Sequence, residues 1–277
     1  MWLTEKPMRQ LWFPVPVPQA SPNCNCSLSI TATTINTNTN TNTRITTTHT
    51  HTRKPTPVVK KKKKRHHKLC PGESTGITEE MRFVAMKLRH VTTPQDEQPD
   101  SDTWHPTMEG FLRYLVDSHL LFTTLERLID ESENVSYTYL RKTGLERSEA
   151  LGKDLKWLEE EGSVIPNPSS PGLTYAKYLE ELAEKSAPLF LSHLYNIYFS
   201  HIAAGQVIAK KVSEKLLEGK ELEFYRWEGD VAELLKNVRD KLNMLSEHWP
   251  RDEKNKCLKE TAKAFRSMRE IVRLVVS

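Results

Sequence analysis

Acidic residues are nearly missing from the first 72 positions of this sequence. That stretch holds a single one, Glu5, against twelve Lys/Arg, whereas the remainder holds 35 acids and 28 bases. The formal net charge of +4 therefore joins a basic arm to an acidic body. Long apolar runs are missing as well. No stretch approaches the ~20 residues that a membrane-spanning helix needs. Cysteine is scarce: Cys24, Cys26 and Cys70 lie in the arm, and Cys257 alone in the body. One cysteine forms no internal disulfide, so the body suits a reducing compartment. Cys24-Asn25-Cys26 falls short of the four ligands of a structural zinc site. Strand-like alternation is scarce, and Gly and Pro gather in a few connectors.

What the arm does contain is Thr, Asn, Ser and base. A serine/threonine-rich, acid-poor N-terminus without an apolar core reads as an organelle transit peptide. The run TNTNTNT buries no apolar area to offset the entropy of ordering, so disorder is expected over residues 1–72. KKKKKRHHK, residues 60–68, is open to a second reading as a nuclear or nucleic-acid segment. No aromatic residues interleave the lysines for base stacking, which favours the solvated end of a transit peptide and no nucleic-acid partner. Cleavage is expected between about 50 and 75, leaving a body of residues 73–277.

Helical spacing recurs through that body. Thr78, Glu79 and Glu80 open a first helix that fades near His90. An acidic, Pro-broken linker follows over 91–103. Thr107 caps the next helix, with Phe111, Leu115, Ser118, Phe122, Leu125 and Ile129 on one face. Thr143 and Glu146 match a capping box, which predicts a helix from there to about Gly162. A three-proline loop precedes a short helix from Thr174. Ser186 caps another, with Pro188 in its first turn. Asp230 and Glu233 open a helix ended by Trp249-Pro250, and a last one carries Leu258, Phe265, Met268, Ile271 and Val275. The sum is an all-α single domain of about eight helices. Asp117-Ser118-His119 lies in series on one helix, so its groups fan out and form no hydrolase triad.

The segment 187–211 is the most informative. Phe190, Leu194, Ile197, His201, Ala204 and Ile208 form one row, and Leu191, Tyr195, Tyr198 and Ile202 a second. At its centre stand Ala203-Ala204-Gly205. A glycine inside a helix costs ~1 kcal/mol against alanine, so small residues here imply a close approach. Either a crossing helix or a flat ligand satisfies that pattern. His193 and His201 read as hydrogen-bonded core histidines.

EEMRFVAMKL, TGLERSEALGKDLKWLEEEG, YNIYFSHIAAGQ and KELEFYRWEGD resemble the plant heme oxygenases over nearly all of 77–277. The resemblance implies an all-α heme oxygenase-like fold with heme between a proximal and a kinked distal helix. It implies cleavage of heme to biliverdin, carbon monoxide and iron, with ferredoxin as electron donor in plastids, and a link to phytochrome chromophore supply and photomorphogenesis. It matches Arg82, Tyr195 and Arg239, with Lys236 nearby, to the positions that meet the heme propionates. Ala204-Gly205 stands for a distal Gly-Gly pair. The proximal ligand position, a histidine in the family, is Arg89 here.

That substitution has a plain chemical consequence. A guanidinium has five N–H donors, no acceptor and a pKa above ~12, so it offers iron no lone pair. Arg89 thus implies the second, His-less type of plant heme oxygenase, an inactive homologue in the plastid stroma with no metal ligand. Helical spacing by itself leaves a rival, since His90 shares a stripe with Phe83 and Met86. Three readings follow. The leading one is a tetrapyrrole-binding or regulatory protein, taking protoporphyrin better than heme. The others are an active, ferredoxin-driven enzyme that uses His90, and a helical interaction module without pigment, pairing with the active enzyme. A cavity closed by side chains around Ala204 would be the sign of the last.

Overall fold

The computed structural model describes residues 76–92 and 105–276, with side chains throughout these except at 89–92. The basic arm, most of the acidic linker and the side chains of Arg89 and His90 lie outside the described residues. Among the described residues there are eight α-helices and no strand: α1 (Ile77–Thr92), α2 (Met108–Asp130), α3 (Val135–Thr138), α4 (Ser148–Glu160), α5 (Ser170–Lys185), α6 (Ala187–Leu216), α7 (Val231–Glu247) and α8 (Arg251–Arg273). Two 3-10 turns, Glu223–Tyr225 and Leu274–Val276, complete the set.

The predicted faces are the buried ones. Phe111, Leu115, Phe122, Leu125 and Ile129 line the inward side of α2, each contributing ~1.5–3 kcal/mol by leaving water. Thr107 caps that helix, accepting from the Gly110 N–H at 3.0 Å. Both apolar rows of α6 are inside save for the half-buried Ile202, because α5, α7 and α8 pack around it and α8 runs along it most closely. α1 lies across α7 and α8. Cys257 is buried, and burial pushes its thiol up to about 12, which keeps it protonated and unreactive.

Two helix starts differ from the sequence expectation. Thr143 and Glu146 make half of a capping box: Glu146 accepts from the Thr143 N–H at 2.6 Å and its hydroxyl at 2.9 Å, while the Thr143 hydroxyl oxygen accepts from the Leu145 N–H at 3.2 Å. They shape a loop, and α4 begins only at Ser148. Its first N–H groups are taken by Glu126 of α2, which accepts from Arg147 N–H at 2.6 Å and Ser148 N–H at 3.2 Å. Likewise α5 begins at Ser170, not Thr174. Asp117 of α2 accepts from the Ser169 N–H (2.7 Å), the Ser169 hydroxyl (2.5 Å) and the Gly172 N–H (2.9 Å). Gly172 is needed there, since a Cβ would lie 2.6 Å from the Asp117 carboxyl carbon. Asp154 of α4 repeats the device on the 3-10 turn, accepting from Glu223 N–H at 2.9 Å and Phe224 N–H at 2.7 Å. Buried acids thus supply helix N-termini with the acceptors they lack.

Candidate functional site

Helices α1 and α7 bring charge, and α6 a neutral phenol, within electrostatic range of one another. Arg82 sits on the exposed side of α1, Tyr195 is buried on α6, and Arg239 is exposed on α7. Burial pushes the Tyr195 phenol up to about 12, against the pull of the Arg239 and Arg82 charges. Glu79, one turn before Arg82, joins the group. The Arg82 Nε donates to both Glu79 carboxylate oxygens at 2.9 Å, and Nη2 makes a further contact. The Arg82 hydrogen bond holds the Glu79 carboxyl below its usual range, with Arg239 adding a smaller effect through space. Phe199 stacks on Tyr195 with ring centroids 6.1 Å apart and steadies it. Lys236 is exposed and bonded to Asp240 at 2.8 Å.

The structure therefore brings Arg82, Tyr195 and Arg239 into one electrostatic neighbourhood, with Lys236 a turn away and engaged. In the sequence alone Glu79 reads only as an acid opening a helix. Its i,i+3 spacing to Arg82 was the available signal.

Ala204 and Gly205 lie elsewhere on α6. Gly205 is covered by the chain itself: a Cβ there would stand 3.1 Å from His201 Nδ1 and 3.4 Å from Tyr225 Cε1. Ala204, Gly205, Phe122, Phe224 and Met268 help line a cavity of only about 10 Å³. The close approach foreseen from the small residues is thus made by aromatic rings. His201 stacks on Phe224 at 4.1 Å and shares its Nε2 with the Phe224 carbonyl at 3.1 Å. Burial, above all, brings its pKa down to about 3.

His193 has both ring nitrogens in use, 2.9 Å from Tyr175 Oη and 3.0 Å from Glu260. Both histidines are buried core residues, as expected. A larger cavity of about 340 Å³, lined by Glu126, Asp130, Glu146 and Tyr198, is not a free acidic site. Its Glu126 and Glu146 already accept backbone N–H groups. Among the described residues no three His, Cys, Asp or Glu side chains converge to hold a metal ion. No described helix is long and apolar enough to cross a membrane.

A protein-family model described as heme oxygenase matches residues 102–274, well over half of the chain. The chain belongs to the heme oxygenase family. That match begins beyond α1, the helix that carries Arg82 and Arg89. Among similar heme oxygenase relatives, Arabidopsis thaliana "Probable inactive heme oxygenase 2, chloroplastic" is 60% identical over 235 residues, covering 76% of this chain and 79% of the relative. Arabidopsis "Heme oxygenase 1, chloroplastic" is 49% identical over 223 residues, covering 77% and 78%. Heme oxygenase-1 from the cyanobacterium Synechocystis, solved in complex with heme, superposes with a TM-score of 0.57 at 14% identity, covering 71% of this chain and 90% of that one. The last shows the fold alone. The sequence resemblance and the all-α expectation are thus borne out.

Proposed function

We propose that this heme oxygenase homologue carries out no turnover, binds a tetrapyrrole by its carboxylates in the plastid stroma, and acts in regulating phytochrome chromophore supply and photomorphogenesis. One observation carries the binding part: Arg82 and Arg239 both act on the Tyr195 phenol through space, a set suited to two carboxylates through charge-assisted hydrogen bonds. A heme makes a second demand, a nitrogen lone pair for its iron. Arg89 at the ligand position supplies none. His193 is committed through both nitrogens, and His201 is locked against Phe224 and Gly205.

The donor set thus fits the carboxylate edge of a porphyrin and not its metal. Protoporphyrin satisfies it, and heme is bound weakly. Similarity to a relative named probable inactive, at 60% against 49% for heme oxygenase 1, supports the lack of turnover. The names of both relatives support a plastid location. Ferredoxin has a part only if turnover is retained, which would require His90 as ligand.

A second reading has an observation of its own. The roughly 10 Å³ cavity at Ala204 and Gly205 is what a helical interaction module without pigment would have, one that pairs with the active enzyme. Titration of the full chain with protoporphyrin and with ferric heme, followed by Soret absorbance, separates these readings. Tighter binding of protoporphyrin is expected. Tighter binding of heme with a histidine-ligated spectrum would overturn the proposal, and binding of neither would favour the module.

A further inference from the structure

Arg82 does not stand free at the carboxylate edge. Its Nε reaches both oxygens of Glu79 at 2.9 Å, and Nη2 makes a third contact with the same carboxylate. A guanidinium presents such a fork to a carboxylate in a fixed plane, the geometry by which a ligand carboxylate would be gripped. Arg239, the second cation of the edge, also acts on Glu79 through space, and Glu79 acts on the Tyr195 phenol. Glu79 thus bonds one of the groups that would receive the tetrapyrrole, Arg82, and acts on the other two through space.

The neighbouring acid behaves differently. Glu80 reaches across to Arg251 at 2.9 and 2.8 Å and ties α1 to α8.

We propose that Glu79 is an internal competitor for the tetrapyrrole carboxylate, holding Arg82 by a two-oxygen grip that the ligand must displace. The inference rests on reading Arg82, Tyr195 and Arg239 as the carboxylate-binding edge. The Arg82 and Glu79 side chains are 46% and 39% exposed. A pair so exposed is held by a factor of only a few, about three-fold. Glu79 therefore tunes affinity rather than barring entry. It also selects by ligand charge, since only a ligand with a free carboxylate competes for Arg82. A porphyrin diester is indifferent to it.

The test uses the full chain, with Soret titrations of protoporphyrin IX and its dimethyl ester against the unaltered protein, Glu79→Gln and Glu80→Gln. Glu79→Gln should tighten protoporphyrin about three-fold, leave the diester unchanged, and have no counterpart in Glu80→Gln. Circular dichroism checks the fold, and Glu79→Ser replaces Glu79→Gln if α1 does not form. Unchanged or weaker protoporphyrin binding by Glu79→Gln overturns the competitor while the edge reading stands. So does an equal gain with the diester or with Glu80→Gln. Binding by no protein of the series overturns both.

Discussion

If the proposed carboxylate edge holds, Arg239 is the residue on which it depends most, because Arg82 is already shared with Glu79. Arg239→Ala should weaken protoporphyrin binding by about ten-fold, the worth of one charge-assisted hydrogen bond. The melting temperature should stay unchanged, since the side chain is exposed. Titration alongside a thermal melt checks both. Arg82 and Tyr195 were legible in runs that carry the resemblance, EEMRFVAMKL and YNIYFSHIAAGQ, whereas Arg239 lies outside those runs. The role of Glu79 was not legible. An acid in a first helical turn has a sufficient local reason to be there, so its partnership with Arg82 competes with a dipole explanation. Spacing alone slightly favours His90 inward with Phe83, and only the family match favours Arg89, one 100° step away near a helix end.

Helix existence and faces were legible; helix starts were less so. Apolar periodicity is a property of many residues and survives a local error. A start depends on one acceptor, and at α4 and α5 that acceptor arrives from α2, 21 and 52 residues earlier in the chain. The Thr143–Glu146 cue was half correct as a hydrogen-bond pattern and wrong as a boundary. Asp117 makes the stronger claim, being fully buried with three bonds to the start of α5. Asp117→Ala leaves those donors unpaired and should lower unfolding free energy by about 3 kcal/mol. Urea denaturation followed by circular dichroism measures it, and Thr143→Ala should cost less.

The whole molecule carries an acid liability from its buried ionisable groups. His201 takes a proton in the fold only near pH 3, burial being the main cause, whereas the unfolded chain takes it near 6.5. Burial lowers His193 in the same direction. Burial alone would raise Glu260, but its bonds to His193, Lys263 and Tyr178 bring it down to about 2. In each case the unfolded chain binds the proton more readily, so stability is whole above pH 6.5 and is lost as pH falls towards 3 and below. His201 alone accounts for a loss on the order of 4 kcal/mol across that window. Burial raises the Glu126 and Asp154 carboxyls, which opposes part of the loss. The net unfolding free energy should still fall when measured from pH 7 to 3, and His201→Gln should flatten the slope between 6.5 and 4.

The central claim is that a guanidinium at position 89 leaves the iron without a protein lone pair. The Soret spectrum of the full chain with ferric heme, compared with that of Arg89→His, tests it most directly. The account predicts no histidine-ligated band in the unaltered protein and its appearance, with tighter heme binding, in Arg89→His. A histidine-ligated spectrum from the unaltered chain, lost on replacing His90, would contradict it.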